Sequence, residues 1–254
     1  MTDTATQQAE IQDYYRGKAA EAAEATSCCA PDPTRFGPGA YGDIGPDEAS
    51  DAALLASLGC GNPTAVAELR DGETVLDLGS GAGLDLILSA RRVGSDGRVF
   101  GLDFLEEMLA VARQNIEDAE IDNVILLKGT IEQIPLPANT VDVIISNCVI
   151  NLSLDKPAVF AEMGRVLAPG GRLGITDVVA EDHLTAADRA ERGGVSQCIA
   201  GALSQSEYLS LLAEVGLTDA EVVFTQDAAD GMHSAIIRAR KPGADECGPD
   251  SGCC

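Results

Sequence analysis

From residue 73 onward, short runs of aliphatic and β-branched residues alternate with longer stretches of helical period. A parallel sheet with crossover helices is the arrangement that buries both kinds of segment together. Strands are predicted at Thr74–Leu78, Arg98–Asp103, Val124–Lys128, Val141–Asn147 and Arg172–Asp177, with Glu221–Thr225 and Ser234–Ala239 as a closing pair. The first is expected to be buried, and the next three to follow it into the sheet. Between them, Leu105, Met108, Leu109, Ala112 and Ile116 share one helical stripe. Val159, Phe160, Met163 and Val166 repeat the period, as do Tyr208, Leu211, Leu212 and Val215. At 254 residues the chain suffices for one sizeable α/β core and is small for two.

Ahead of this region lies a polar, Ala/Glu-rich helical stretch. A Pro/Gly-rich connector, APDPTRFGPGAYGDIGP, and a short predicted helix from Pro46 to Leu58 follow it. Such a segment is too small for its own core, so residues 1–70 are expected to cap the sheet domain of residues 71–241. Residues 242–254 combine Gly, Pro, acids and cysteines, and read as a flexible tail.

The chain carries 41 Asp plus Glu against 17 Lys plus Arg, a formal net charge of −24. That field repels phosphate backbones and anionic headgroups, so neither nucleic acid nor membrane is an expected partner. Lysine occurs only at Lys18, Lys128, Lys156 and Lys241. An acidic, lysine-poor surface fits a halophilic, high-salt cytoplasm, where self-repulsion is screened. The fold should therefore melt at lower temperature in dilute buffer than in molar KCl. The first twenty residues have neither a basic start nor an apolar run, and no stretch approaches the roughly 18 apolar residues of a membrane span. A cytoplasmic protein is expected, and there eight cysteines read as metal ligands, redox or catalytic groups, or structural thiols rather than a disulfide framework.

The first strand runs into VLDLGSGAGLDLIL, with Gly79, Gly81 and Gly83 spaced G-x-G-x-G. The third glycine of a dinucleotide fingerprint would stand at position 84, where this chain has Leu84, so NAD is disfavoured. What remains is a loop that lets backbone approach a ligand and opens on a helix N-terminus suited to a carboxylate. Asp77 ends the first strand and can accept from a ligand ammonium, Asp103 ends the second and can accept from both hydroxyls of a ribose, and Glu132 follows the third. Each acid alone reads equally as a helix cap or a solvated charge. Together, an amino-acid moiety, a ribose and a base in that order describe S-adenosylmethionine.

DLGSGAG, the Asp103 strand end, KGTIE and the RVLAPGGRL turn resemble the class I S-adenosylmethionine-dependent methyltransferases over roughly residues 70–240. The resemblance implies a doubly wound, mainly parallel seven-stranded sheet with the last strand antiparallel. It implies that the glycine loop and Asp77 hold the methionine part, that Asp103 holds the ribose, and that Thr130, Ile131 and Glu132 lie by the adenine. Tyr15, Met108 and Asn147 are also expected among the cofactor contacts; by the resemblance Tyr14 and Tyr15 close over the cofactor, the alternative being that they pack the cap.

Fold and cofactor do not name an acceptor. Cys148 follows the fourth strand in ISNCVINL, Cys198 lies in VSQCIAGAL after the fifth, and Cys60 lies in SLGCGNP in the cap. A single free cysteine commonly serves as small apolar filler. Three thiols at the cofactor's mouth offer a soft trigonal site for a thiophilic centre such as trivalent arsenic, not for magnesium or calcium. DYYRGKAA followed by SCC, LGCGNP, ISNCVINL and QCIAGAL resemble the arsenite methyltransferases up to residue 241. That resemblance implies arsenic(III) at Cys60, Cys148 and Cys198, with an upstream cysteine, Cys28 or Cys29, in a thiol relay. It also implies an external thiol reductant, thioredoxin or a small thiol. The tail thiols Cys247, Cys253 and Cys254 read equally as arsenite collectors or as an incidental end. Two other readings stand beside this one: a methyltransferase of a small organic acceptor such as a quinone, and a non-catalytic thiol protein that sequesters arsenite.

Overall fold

The computed structural model describes residues 4–24, 61–194 and 198–244. The predicted helix at 46–58 and the cysteines Cys28, Cys29, Cys60, Cys247, Cys253 and Cys254 lie outside the described residues.

Seven strands form one sheet: β1 (Thr74–Leu78), β2 (Arg98–Asp103), β3 (Val124–Lys128), β4 (Val141–Asn147), β5 (Leu167–Ala180), β6 (Thr218–Ala229) and β7 (Met232–Arg240). Their order is β3-β2-β1-β4-β5-β7-β6. Neighbours from β3 through β5 pair in parallel, and β7 pairs antiparallel with both β5 and β6. This is the doubly wound sheet of the class I methyltransferases, with its last strand reversed. The order turns back between β1 and β4, and at that switch point the two following loops part and leave a crevice beyond the strand ends.

The interior strands are apolar because both faces are covered. Along β4, alternation sends Val143 and Ile145 into one buried cluster and Ile144 into the other. The helices on the first face are α3 (Leu84–Val93) and α4 (Glu106–Asp118). On the second lie α5 (Lys156–Val166) and α7 (Gln205–Glu214), where Phe160 and Tyr208 are fully buried and meet edge to face at 5.7 Å. Phe160→Ala would empty the centre of that layer, at about 3–5 kcal/mol.

Three sequence expectations need correction. β3 is an edge strand and only half covered, with Ile125 41% exposed, because no element pairs with its outer side. β5, β6 and β7 each run beyond the predicted bounds: the antiparallel ladders of β7 with β5 and with β6 extend them, and pairing of Leu167 with Val141 starts β5 earlier. The helix α6 (Ala186–Arg192) was not expected, being short and without an apolar stripe; the Thr185/Asp188 capping box starts it.

Of the cap, α1 (Thr4–Glu24) lies against α4, with Ala19 packed on Leu105 and Met108 and Arg16 paired to Glu107 at 3.1 Å. The short α2 (Pro63–Val66) precedes β1. Arg172 fastens the segment after it: its guanidinium meets both Glu73 carboxylate oxygens and donates to the Ala67 and Glu68 carbonyls. No helix among the described residues is long and apolar enough to cross a membrane.

Candidate active site

An open cleft lies at the switch point, between the β1–α3 loop and the ends of β2 and β4. Tyr15, Gly79, Gly81, Gly83, Asp103, Met108 and Asn147 line it, together with Cys148. The loop is glycine-rich for a steric reason. Gly79, Gly81 and Gly83 all have positive φ, and a Cβ on Gly79 would stand 2.4 Å from Val149 Cγ2. Glycine therefore lets the cofactor loop touch the residue after Cys148.

Asp103 organises this end. Its carboxylate accepts from the Gly81 amide at 3.0 Å and the Leu105 amide at 2.9 Å. Burial nevertheless raises its pKa, these bonds opposing the shift. Asp77 is fully enclosed beneath the loop and does not line the cleft; burial, and then the charges of Asp85 and Asp103, push its carboxyl well up. Its Oδ2 and the Ser80 hydroxyl are buried with no hydrogen-bond partner. Thr130, Ile131 and Glu132 also stand off the cleft. Thr130 bridges to Gln133, Ile131 is core, and Glu132 Oε1 accepts from the Ser153 hydroxyl. Asp85, which follows the loop in the first turn of α3, does line the cleft and was not singled out. An acid two residues past the last glycine of the loop is a signal that sequence reasoning had available.

At the other end of the cleft, β4 stops at Asn147 and the chain turns sharply. Cys148 has φ +57° and Cys198 φ +62°, left-handed conformations that cysteine seldom adopts. Both are buried. The Cys148 amide is fixed by the Thr176 carbonyl at 2.8 Å, and the Cys198 Sγ donates to the Cys148 carbonyl at 2.8 Å. Cys148 is disulfide-bonded, whereas Cys198 carries a free thiol. The two sulfurs and an Asp177 oxygen all lie within 4.8 Å of one another.

Asp177, also not singled out, stands behind the sulfurs within β5. Its Oδ1 accepts from Asn151 Nδ2 at 2.7 Å and the Val178 amide at 2.8 Å, and its Oδ2 accepts from the Tyr208 hydroxyl at 3.0 Å. Asn151 donates as well to the Cys198 carbonyl, at 3.1 Å. Burial pushes the Asp177 carboxyl up to about 7 against the pull of these donors. Burial, then the Asp177 charge, raises the Cys198 thiol far above its ordinary range, and a hydrogen bond with the Tyr15 side chain works against that. Tyr15 thus touches both ends of the cleft.

Asn147 joins these parts. Its amide donates to the Gly61 carbonyl at 2.8 Å and to Asp85 at 3.2 Å, and its carbonyl accepts from the Thr176 hydroxyl at 2.9 Å. Gly61 is pressed on β5, where a Cβ would lie 2.6 Å from Thr176 Cγ2. The residue after position 60 is therefore tied to the residue before position 148.

Residues 69–216 match the family described as "Methyltransferase domain". The chain is 38% identical over 234 residues to an arsenite methyltransferase of Halobacterium salinarum, covering 86% of this chain and 60% of that protein. It is 41% identical over 175 residues to an arsenite methyltransferase of Aquipseudomonas alcaligenes, covering 66% and 50%. The chain thus spans only half to three-fifths of the length of these curated relatives. Among solved structures it is similar to an arsenic(III) S-adenosylmethionine methyltransferase from Chlamydomonas reinhardtii, with TM-score 0.61, 34% identity, and coverage of 73% of this chain and 68% of that one. The domain match over more than half of the chain and the shared fold have one reading: the chain belongs to the methyltransferase-domain family and, within it, to the arsenite methyltransferases.

Proposed function

We propose that this chain methylates trivalent arsenic, held by the thiolates of Cys60, Cys148 and Cys198, with S-adenosylmethionine as methyl donor. The observation that carries the reading is the continuity of one cleft: the glycine loop lines it, Cys148 lines it too, and the Cys148 sulfur lies within 4.8 Å of that of Cys198. The Gly61–Asn147 bond supports the third ligand, because it joins the neighbour of Cys60 to the neighbour of Cys148. Two cysteine sulfurs held so close together also favour this reading over a quinone acceptor.

The residues present suit the cofactor. Gly81 leaves open space where a Cβ would stand, so a ligand can approach its backbone, and among the described residues the buried Asp77 Oδ2 and Ser80 hydroxyl lack partners. S-adenosylmethionine, when bound, supplies an electrophilic sulfonium methyl group. In this proposal Asp103 holds the ribose, and the glycine loop, backed by Asp77 beneath it, holds the methionine end, while Thr130, Ile131 and Glu132, which stand off the cleft, lie on its adenine side. Tyr15, Met108 and Asn147 complete the contacts.

The thiolates fix the arsenic lone pair in line with the methyl carbon, so rate comes from positioning and raised electron density. Hydroxide ligands of arsenite leave as water with the thiol protons, so no general base is needed. Methylation formally oxidises the arsenic, and thiols reduce it again while closing a disulfide. Cys28 or Cys29 belongs to that relay, which a thioredoxin or small thiol reopens. Cytoplasmic location, a saline milieu, and the absence of nucleic-acid and membrane partners are parts of the same proposal, resting on the net charge of −24.

The test is transfer of labelled methyl from S-adenosylmethionine to arsenite. Cys148→Ser and Cys198→Ser should each lower the rate by about a hundredfold or more, with cofactor binding retained. Near-normal methylation by either variant would overturn the three-thiol site.

A further inference from the structure

The carboxylate behind the sulfurs has no part in the arsenite chemistry above. Three thiolates already fill the trigonal shell of arsenic(III), a soft centre for which a carboxylate oxygen is a poor ligand. Yet Asp177 is fully buried, with an oxygen within 4.8 Å of both the Cys148 and Cys198 sulfurs. The nearby ammonium of Lys156 donates to the Ser153 carbonyl at 2.9 Å. Burying a carboxylate without a paired cation is costly.

The backbones of the two cysteines and the Asp177 carboxylate are held before any ligand arrives, and reduction of the Cys148 disulfide frees its sulfur. Asn151, the Val178 amide and Tyr208 hold the Asp177 carboxylate, Asn151 also holds the Cys198 carbonyl, and Thr176 holds the Cys148 amide. Oδ1 accepts from two donors and Oδ2 from one, so Oδ2 keeps a lone pair for a further partner. Two sulfurs and one oxygen suit a borderline-soft tetrahedral ion. Bonds of about 2.3 Å to sulfur and 2.0 Å to oxygen set donors about 3.5–3.8 Å apart, so these need close by only about an ångström. Magnesium and calcium demand more oxygens than are present.

We propose that, in the reduced protein, Cys148, Asp177 and Cys198 form a three-donor site for a zinc-like divalent cation, which competes with the methyl acceptor for the two sulfurs. Binding joins the cation to two thiolates, one carboxylate oxygen and a water, and releases the two thiol protons to solvent. The site stands on its own geometry; only the competition rests on the arsenite reading.

The experiment uses the full chain with Cys28, Cys29, Cys60, Cys247, Cys253 and Cys254 changed to Ser, reduced with a phosphine. Cobalt(II) serves as the optical stand-in for zinc(II). One equivalent should bind tetrahedrally with a thiolate-to-cobalt charge-transfer band, and zinc should displace it. Asp177→Asn should weaken binding by about tenfold or more, with folding checked by S-adenosylhomocysteine binding. Absence of the band, or equal affinity in Asp177→Asn, overturns the proposal. Should that variant not fold, zinc-edge X-ray absorption of the Asp177 protein decides: two sulfurs near 2.3 Å with oxygen near 2.0 Å support the site, and a shell without two sulfurs defeats it. In the chain with all its cysteines, zinc should raise the KM for arsenite and leave kcat unchanged; an unchanged KM overturns the competition. If the arsenite reading fails instead, the cobalt band persists and no methyl transfer is seen.

Discussion

The two ends of the cleft use the same backbone conformation with opposite residues. At the cofactor end, Gly79, Gly81 and Gly83 take positive φ; at the thiol end, Cys148 and Cys198 do. Glycine enters that region almost without strain, whereas a side chain there costs about 1–2 kcal/mol. The first end needs a missing side chain, because a Cβ at position 79 would run into Val149. The second keeps its side chains and bears the strain, as sites of chemistry commonly do. The carboxylates divide in the same way: Asp177 is held by three donors, while Asp77 keeps an oxygen with none. The unsatisfied Asp77 oxygen awaits a partner that a ligand can bring, whereas Asp177 is already oriented by its donors.

The sharpest way to break this comparison is Gly79→Ala. It combines strain at φ +74° with the Val149 clash and should destabilise the fold by about 3 kcal/mol and weaken S-adenosylmethionine binding. Thermal melts and calorimetry measure both, and adding Val149→Ala should restore part of the loss. No rescue would mean that the contact is not what demands glycine.

Next in size is the pH response of Asp177. Its carboxyl titrates near 7 when folded against an ordinary 3.8, so between those values the folded chain binds the extra proton. The contribution is fully present below about pH 4 and is lost as pH rises toward 7. Asp177→Asn should remove up to about 1.4 kcal/mol per pH unit of that decline, leaving the same-signed parts of Asp77 and Asp103. Denaturant melts from pH 4 to 8 read the slope; an unchanged slope would place the proton elsewhere.

A smaller effect separates Cys148→Gly from Cys148→Ala. In helices and strands alanine is the more stable choice, but at φ +57° glycine should win by about 1 kcal/mol, with methylation lost in both. Alanine proving equal or better would show that the turn stores no strain. Smallest is Arg16→Ala, since its pair with Glu107 is half exposed and should be worth no more than about 0.5 kcal/mol. A larger drop would make α1 a firmer part of the cleft wall than that pair indicates.

The ends of β1 through β4 were legible because a glycine or polar residue, Gly79, Asp103, Gly129 or Asn147, breaks each apolar run. The extensions of β5 to β7 were not, since only pairing partners distant in the chain create them. At the site, Asp103 and the glycines follow from strand-end logic. Asp177 was predicted at the end of the fifth strand, and nothing local says that Cys148 and Cys198 will face it. Tyr208 was legible as core, but the bond from its hydroxyl to Asp177 was not. The left-handed turns at the cysteines left no trace at all, because cysteine is no turn former and only surrounding bonds hold it there.

Those turns have an evolutionary consequence. A cysteine codon lies a single base from a glycine codon, and at positions 148 and 198 that change relaxes the backbone. Ordinary selection for folding thus pushes these codons away from cysteine, and on the proposed arsenite reading only continued exposure to arsenite would hold them. In a lineage freed from it, glycine at one of these two positions should be among the earliest fixed losses.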